Sequence, residues 1–336
     1  MKVDAGLFQV GLDGVPRLAA RIEEDGFDGA VSAEVSSDPF LSLALAAEHT
    51  SRIDLLTSIA VAFSRNPMTT ACVAHDLNAY SKGRLILGLG SQVEAHITRR
   101  FNMPWSKPAA RMREYVLAMR AIWDCWYEGI KLDFRGKFYQ HTLMTPLFTP
   151  PDTSQGPPRV YLAAVGPLMT EVAAEVANGL IVHLFTTERY FREVTLPAVE
   201  RGLARSGKSR EDFEIMGPVF ARLTDDEQIF ADQCTSLRRQ IAFYASTPAY
   251  RGVLERHGWE DLQAELNRMA KLDQWEEMGD RISDEMLDEF SLTTSAEALA
   301  ENVHARYGEM FDRLMDRFEI ADRDLHREQV AKLRAL

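Results

Sequence analysis

Long apolar runs are absent from this sequence of 336 residues. A helix needs about 18 consecutive apolar residues to cross a bilayer, and no such run is present. The first residues, MKVDAGLFQVGLDG, also lack the apolar core and small-residue cleavage site of a secretory signal. The sequence therefore predicts a soluble, cytoplasmic protein.

The sequence has few cysteines, and its acidic residues outnumber its basic ones. The three cysteines Cys72, Cys125 and Cys234 lie far apart, without the spacing of a disulfide framework or a metal site, so we predict no metal. The 38 Lys and Arg against 50 Asp and Glu give a net charge of -12, which repels nucleic acid and anionic membranes. We expect a small-molecule substrate as partner, and a homo-oligomer, most simply a dimer.

Eight strand signals alternate with helical patterns along the chain. Proline near helix starts and glycine past helix ends punctuate the first units, as at Pro16 and Gly26. The predicted strands are residues 3–8, 27–31, 53–61, 85–89, 160–164, 180–183, 213–220 and, weakly, 313–320. Eight strands with intervening helices favour a closed (β/α)8 TIM barrel over an open doubly wound sheet.

Two segments are longer than a βα unit needs. Residues 129–158 are polar and rich in proline, and they follow a long helix predicted at 108–126, so we predict a hairpin and loop inserted there. Residues 225–291 are helical and rich in Met, Trp and charge; they form either a lid or an oligomer contact. We predict one domain over residues 1–336 that includes both segments.

Candidate functional residues follow the strands, because those positions converge on one mouth of a barrel. Gln9 follows the first strand. Glu34 and His183 are the acid/base candidates at strand ends. A structural hydrogen-bonding role for Glu34, and a core-edge position for His183, are the alternatives. The sequence lacks a G-x-S-x-G nucleophile elbow and a P-loop, which argues against hydrolases and kinases.

Two strand-to-helix turns are candidates for holding a phosphate. Their glycines permit close backbone approach, and free N–H groups at a helix start attract anions. Each is also an ordinary structural turn, but two at one mouth favour a phosphate-bearing ligand. The candidate residues are Gly90, Ser91 and Gln92 in GLGSQ, and Ala164, Val165, Gly166, Pro167, Met169 and Thr170 in AAVGPLMTE.

Several segments in order resemble the luciferase-like monooxygenase family, the bacterial luciferase superfamily: GFDGAVSAE, TSIAVAFSRNP, LNAYSKGRLILGLGSQ and RVYLAAVGPLMTEVAAEVANG. Others, such as MPWSKPAARMREY and IAFYASTPAYRGVLERHGW, are similar to a branch of oxidoreductases dependent on the deazaflavin coenzyme F420. The resemblance implies hydride transfer between F420 and a small organic substrate. The alternatives are an FMN-dependent two-component monooxygenase and a barrel that binds a cofactor without catalysis.

The resemblance also assigns roles to residues. It implies that Ser58 and Ile59 form a strand bulge with a cis peptide behind the cofactor ring, and that Glu34 is an acid/base residue. Val35 stands where luciferases have a histidine, and Ser91 stands near the position of their phosphate-pairing arginine. Both departures favour F420 over FMN. It implies a cofactor phosphate site formed by Ser91, Gln92, Gly166, Met169 and Thr170.

Overall fold

A computed structural model describes residues 1–8 and 10–336, so Gln9, predicted at the mouth, lies outside the described residues. Within them, eight parallel strands form a closed ring, because β1 pairs with β8 and β3 pairs with β4. The predicted TIM barrel is thus confirmed. The strands are β1 Lys2–Gly6, β2 Gly29–Ser32, β3 Asp54–Thr57 with its continuation Ala60–Val61, β4 Leu85–Gly90, β5 Arg159–Ala164, β6 Gly179–Val182, β7 Glu214–Pro218 and β8 Arg313–Met315.

Helices surround the ring, and the capping residues read from the sequence begin several of them. The Asp38 side chain accepts the N–H of Phe40 at 2.9 Å, and Asn66 accepts the N–H of Thr69 at 3.0 Å. In the described part of the chain, no helix is both long and apolar enough to span a membrane. The α-helices of five or more residues are α1 Val15–Glu24, α2 Pro39–Glu48, α3 Pro67–Tyr80, α4 Pro108–Tyr127, α5 Pro167–Val176, α6 Leu196–Ser206, α7 Glu227–Ala245, α8 Arg251–Glu255, α9 Glu260–Lys271, α10 Asp284–Phe290, α11 Leu299–Tyr307 and α12 Arg323–Ala335.

The predicted hairpin lies between α4 and β5. Its antiparallel strands are Phe134–Arg135 and Gln140–His141. The carboxylate of Glu114 on α4 accepts the backbone N–H groups of residues 137 to 139 at 2.5 to 2.9 Å, which fixes the hairpin turn to the helix. Leu143, Leu147 and Phe148 beyond the hairpin are exposed. The homo-oligomer expected from the sequence stays a prediction, since a single chain is described.

The helical segment from 225 to 291, which carries α7 to α10, packs against the barrel mouth. Its apolar side chains, including Ile241 and Leu266, form one buried cluster with Phe185 and Phe220, which follow β6 and β7. A parallel pair between Ala221–Leu223 and Leu292–Thr294 anchors its two ends to each other. The segment therefore covers the end of the barrel where strand carboxyl termini meet.

The lower interior of the barrel, at the amino ends of the strands, holds buried charges. Arg313 and Asp4 are fully buried, with Arg313 Nε 3.3 Å from Asp4 Oδ2. Arg313 Nη2 is 2.5 Å from Asp54 Oδ2, and Arg159 Nη2 is 2.7 Å from Asp54 Oδ1. Four side chains from β1, β3, β5 and β8 thus form one ionic network. Burial raises the pKa of Asp4 to about 7.

Candidate active site

A cavity of about 670 Å³ opens at the upper mouth of the barrel. Its volume is that of a typical small-molecule or cofactor site. Residues near or just beyond the carboxyl ends of β1, β2, β3, β5, β6, β7 and β8 contribute to its wall, together with Tyr244 from α7. Of the predicted site residues, it brings together Ser58, Ile59 and His183.

His183 presents a hydrogen-bond donor at this wall. Its Nδ1 accepts the backbone N–H of Phe185 at 3.0 Å. A neutral imidazole carries a single ring hydrogen, so this hydrogen bond places it on Nε2. Burial lowers the pKa of His183 to about 4, which keeps the ring neutral at physiological pH. His183 is therefore suited to donating a hydrogen bond rather than to accepting a proton at Nε2.

Two tyrosines from the covering segment hold the imidazole in place. The ring of Tyr244 meets His183 edge-on at a centroid distance of 4.9 Å, and the ring of Tyr250 lies at 4.7 Å. The Tyr250 hydroxyl is 3.4 Å from Nε2, longer than a good N–H···O bond. A ligand oxygen can therefore compete for this N–H.

Ser58 and Ile59 form a bulge in the third strand. β3 pairs with β4 at Leu56 and Ile86, and its continuation pairs again at Ala60 and Leu89. Four residue steps on one strand thus oppose three on the other, which is the definition of a bulge. The Ser58–Ile59 peptide is cis, which confirms the prediction from the resemblance.

The glycines of GLGSQ make room for this bulge. A Cβ on Gly88 would lie 1.9 Å from the carbonyl oxygen of Thr57, and one on Gly90 would lie 2.9 Å from Ile59 Cγ1. The Thr57 hydroxyl donates to the carbonyl oxygen of Gly88 at 2.8 Å, which joins the strands here. Gly90 is buried and faces Ile59, so its contribution to a ligand site is indirect.

We expect Gly88→Ala to lower the free energy of unfolding by about 1–3 kcal/mol, because the methyl group overpacks the interior against backbone that holds the bulge. Gly166→Ala is the matched control, since a Cβ there meets nothing within 4 Å. Urea unfolding of both variants provides the comparison. Equal midpoints for the two would contradict this account of Gly88.

Glu34 is held away from the cavity wall. Its carboxylate accepts the backbone N–H of Val61 at 2.7 Å and contacts Arg65 Nη1 at 2.5 Å. Its backbone N–H donates to the carbonyl oxygen of Ile59 at 3.0 Å. Arg65 also binds Asp38. These contacts join Glu34 to Ile59 in the bulge and to the residues just after it. The arrangement suits positioning of Ser58 and Ile59 better than proton transfer.

The two candidate phosphate turns are neighbours on the rim. β4 and β5 pair in register from Ile86 to Leu89, so Ser91 and the residues after Ala164 leave adjacent strands. Gly90, Ser91, Gln92 and residues 164 to 170 lie outside the set that lines the cavity. The structure therefore separates the predicted residues into a wall group and a rim group.

The rim offers unused donors at the start of α5. Within residues 1–8 and 10–336, the N–H groups of Leu168 and Met169 have no acceptor, whereas the Thr170 hydroxyl donates to the Gly166 carbonyl oxygen at 3.1 Å. The Ser91 hydroxyl donates to the carbonyl oxygen of Gln92 at 3.1 Å. Such a helix start binds anions.

Sequence reasoning missed three residues of the site: Tyr244, Tyr250 and Arg317. The tyrosines lie in IAFYASTPAY, a segment quoted for the narrower resemblance but placed in a region whose role the sequence leaves open. Arg317 lies within the predicted strand 313–320, whereas β8 ends at Met315 and leaves Arg317 at the mouth. A shorter predicted strand, ending at Met315, would have placed Arg317 at the mouth of the barrel.

Most of the chain matches known sequences of one family. The model of the luciferase-like monooxygenase family matches residues 3–313. An uncharacterized protein of Mycobacterium tuberculosis is 51% identical over 327 residues, which cover 95% of this chain and 96% of that protein. The F420-dependent glucose-6-phosphate dehydrogenase of Intrasporangium calvum is 30% identical over 259 residues, 75% of this chain and 70% of that enzyme.

A solved structure shares the fold. The coenzyme F420-dependent tetrahydromethanopterin reductase of Methanopyrus kandleri superposes with a TM-score of 0.77 at 21% sequence identity. The match covers 98% of this chain and 97% of the reductase. The barrel and its two inserted segments therefore belong to an architecture already seen in an F420-dependent enzyme.

Proposed function

Because the chain belongs to the luciferase-like monooxygenase family, we propose that it is an oxidoreductase that transfers hydride between coenzyme F420 and a small organic substrate. The observation that carries the proposal is the neutral Nε2–H of His183, presented on a cavity wall that also includes the Ser58–Ile59 bulge. The relative that is named as F420-dependent supports the choice of cofactor.

The residues at the mouth fit a cofactor that carries both a ring and a phosphate. The free N–H groups of Leu168 and Met169, with Ser91 on the adjacent turn, would hold the phosphate. Ser58 and Ile59 would supply the wall for the ring. Gly166 has open space where a Cβ would stand, which leaves room for a ligand beside the helix start.

A bound deazaflavin supplies the redox chemistry, and the protein supplies orientation and electrostatics. His183 donates its Nε2–H to the substrate atom on which negative charge develops during hydride transfer. Glu34 holds the bulge in place through Val61 and Arg65. Tyr244 and the covering segment restrict the access of water to the cavity.

Two side chains favour F420 over FMN. Val35 lines the cavity, so a histidine at this position would meet a ligand there, whereas valine provides no base. Ser91, in place of an arginine, supplies no charge to a flavin phosphate. The FMN-dependent monooxygenase and the barrel without catalysis remain the competing hypotheses.

Titration of the apo protein with F420 and with FMN, followed by tryptophan fluorescence, tests the proposal. We expect F420 to bind at least about tenfold more tightly than FMN. FMN loses the charged hydrogen bond of the arginine that Ser91 replaces, and one such bond contributes about 1.5–3 kcal/mol. Ser91→Arg is expected to narrow this difference. Tighter binding of FMN with substrate-dependent oxygen uptake would establish the monooxygenase instead. Tight F420 binding without turnover of any aldehyde, ketone or alcohol would favour the barrel without catalysis.

A further inference from the structure

The charge of the cavity wall differs from that of the protein as a whole. The protein carries a net charge of -12. Among the described residues that line the cavity there is no aspartate or glutamate, and Arg317 is the single Lys or Arg. A strongly acidic chain thus forms a cavity with one permanent positive charge.

Arg317 has no anionic partner within the described residues. No carboxylate lies within 4.0 Å of its guanidinium nitrogens in residues 1–8 and 10–336, and the guanidinium makes no hydrogen bond there. The nearby acids in sequence are engaged elsewhere: Asp316 contacts His326 Nε2 at 2.8 Å, and Glu319 accepts from Gln233 at 3.1 Å. The guanidinium is therefore left available to a ligand.

Arg317 lies exposed at the edge of the cavity, where its guanidinium can reach a ligand that enters. Partial desolvation by the surrounding protein lowers the pKa of Arg317, with a smaller opposing effect of Tyr244. Arginine remains charged in proteins nonetheless. The planar guanidinium matches a carboxylate with two parallel hydrogen bonds.

The position of Arg317 separates it from the proposed phosphate site. In the strand order of the ring, β8 lies diametrically across from β4, which Ser91 follows. The free N–H groups of α5 follow β5, the next strand. The two anion-binding features therefore stand on opposite sides of the mouth, which argues that they hold different groups.

Apart from the hydroxyl of Tyr244, the wall near Arg317 is largely apolar. Ile181, Met216 and Met315 extend from β6, β7 and β8 into the cavity, and Leu7 and Phe8 follow β1. His183 stands after β6 on the same side of the ring. A ligand complementary to this side of the cavity therefore has an apolar body and one anionic end.

We infer that Arg317 is a specificity residue that binds the carboxylate of an otherwise apolar organic acid, the substrate class of this site. The inference deepens the proposed function and rests on it for the statement that the bound acid is a substrate. The acid reaches Arg317 with its charged end while its reacting carbon lies toward His183 and the bulge. The anionic groups of the cofactor are the other source of the same chemistry, and the test separates them.

The test compares medium-chain and aryl carboxylates, each with its own primary amide, by calorimetric titration of the apo protein and of the protein with F420. We expect at least one carboxylate to bind about tenfold to a hundredfold more tightly than its amide, the range for a charged hydrogen bond. Arg317→Gln should abolish this preference, and Arg317→Lys should retain part of it. Arg135→Gln, in the exposed hairpin, is the matched control and should leave the preference intact.

Three results would overturn the inference. The first is that the wild type binds every carboxylate and its amide equally well. The second is that the preference for carboxylates survives Arg317→Gln. The third is that Arg317→Gln loses affinity for F420 without losing affinity for carboxylates. Failure of the wild type to bind F420 would instead count against the proposed function. In that case a preference that depends on Arg317 would still identify the anionic ligand site.

Discussion

Replacing His183 with alanine is expected to lower kcat about a hundredfold to a thousandfold, the usual cost of losing one donor to a developing negative charge. The imidazole reaches the cavity with its hydrogen on Nε2, because the N–H of Phe185 occupies Nδ1. His183→Gln places an amide N–H at a similar reach and should recover part of the rate. The assay starts from reduced F420 and an active carbonyl substrate. The rate at which the absorption of oxidised F420 returns gives kcat for each variant.

His49→Gln is the matched control for these variants, since His49 lies exposed at the end of α2. It should leave kcat unchanged. The F420 dissociation constant should change little in His183→Ala, because the proposed phosphate contacts lie on other strands. A parallel loss of kcat and cofactor affinity would show that His183 supports the cofactor rather than the reaction.

The pH dependence of the rate provides a second readout. Because the pKa of His183 is about 4, the neutral donor is present throughout the range above about pH 5. The ring gains its second proton only as the pH falls through about 4, and the rate should then decline. An ionisation near pH 6.5 that disappears in His183→Gln would contradict the neutral assignment.

Arg313→Met is expected to lower the free energy of unfolding by about 3–5 kcal/mol, the range for removing one partner of a buried ion pair. Arg313 is fully buried between Asp4 and Asp54, and the substitution leaves Asp4 without a cation while Asp54 keeps Arg159. Chemical unfolding followed by tryptophan fluorescence measures the change.

Adding Asp4→Asn to Arg313→Met should recover part of the loss, because the second change removes the acidic group that has lost its cation. Arg135→Gln removes an exposed ion pair and should produce no measurable change. An Arg313→Met variant as stable as the wild type would show that the network contributes no net stability.

Local patterns sufficed to predict the barrel. Asp38 with Pro39 and Asn66 with Pro67 begin helices as expected, because a cap and a proline act within one turn of chain. Strand boundaries were less accurate where local signals are weak: β8 ends at Met315, although apolar residues continue beyond it. Closure of the ring followed from the number of strands, since each unit repeats the same local arrangement.

The site was harder to predict, because its contacts join distant parts of the chain. The partner of Glu34 is Arg65, 31 residues away, and no local pattern indicates that this pair ties down the bulge. His183 was predicted from its place after a strand, but the tyrosine at 250 that packs on it is 67 residues further along. The cis peptide was predicted from the resemblance alone, since no property of Ser58 or Ile59 implies it.

The carboxyl group of Asp4 takes up a proton when this chain folds near neutral pH. With a pKa of about 7 in the barrel and an ordinary value of 3.8, the folded chain at pH 7 holds about half a proton more at Asp4 than the unfolded chain. The stability this group contributes is complete below its unfolded pKa and is lost as the pH rises through about 7. Unfolding at pH 7 releases that fraction of a proton, so the measured heat includes the heat of protonating the buffer by the same fraction.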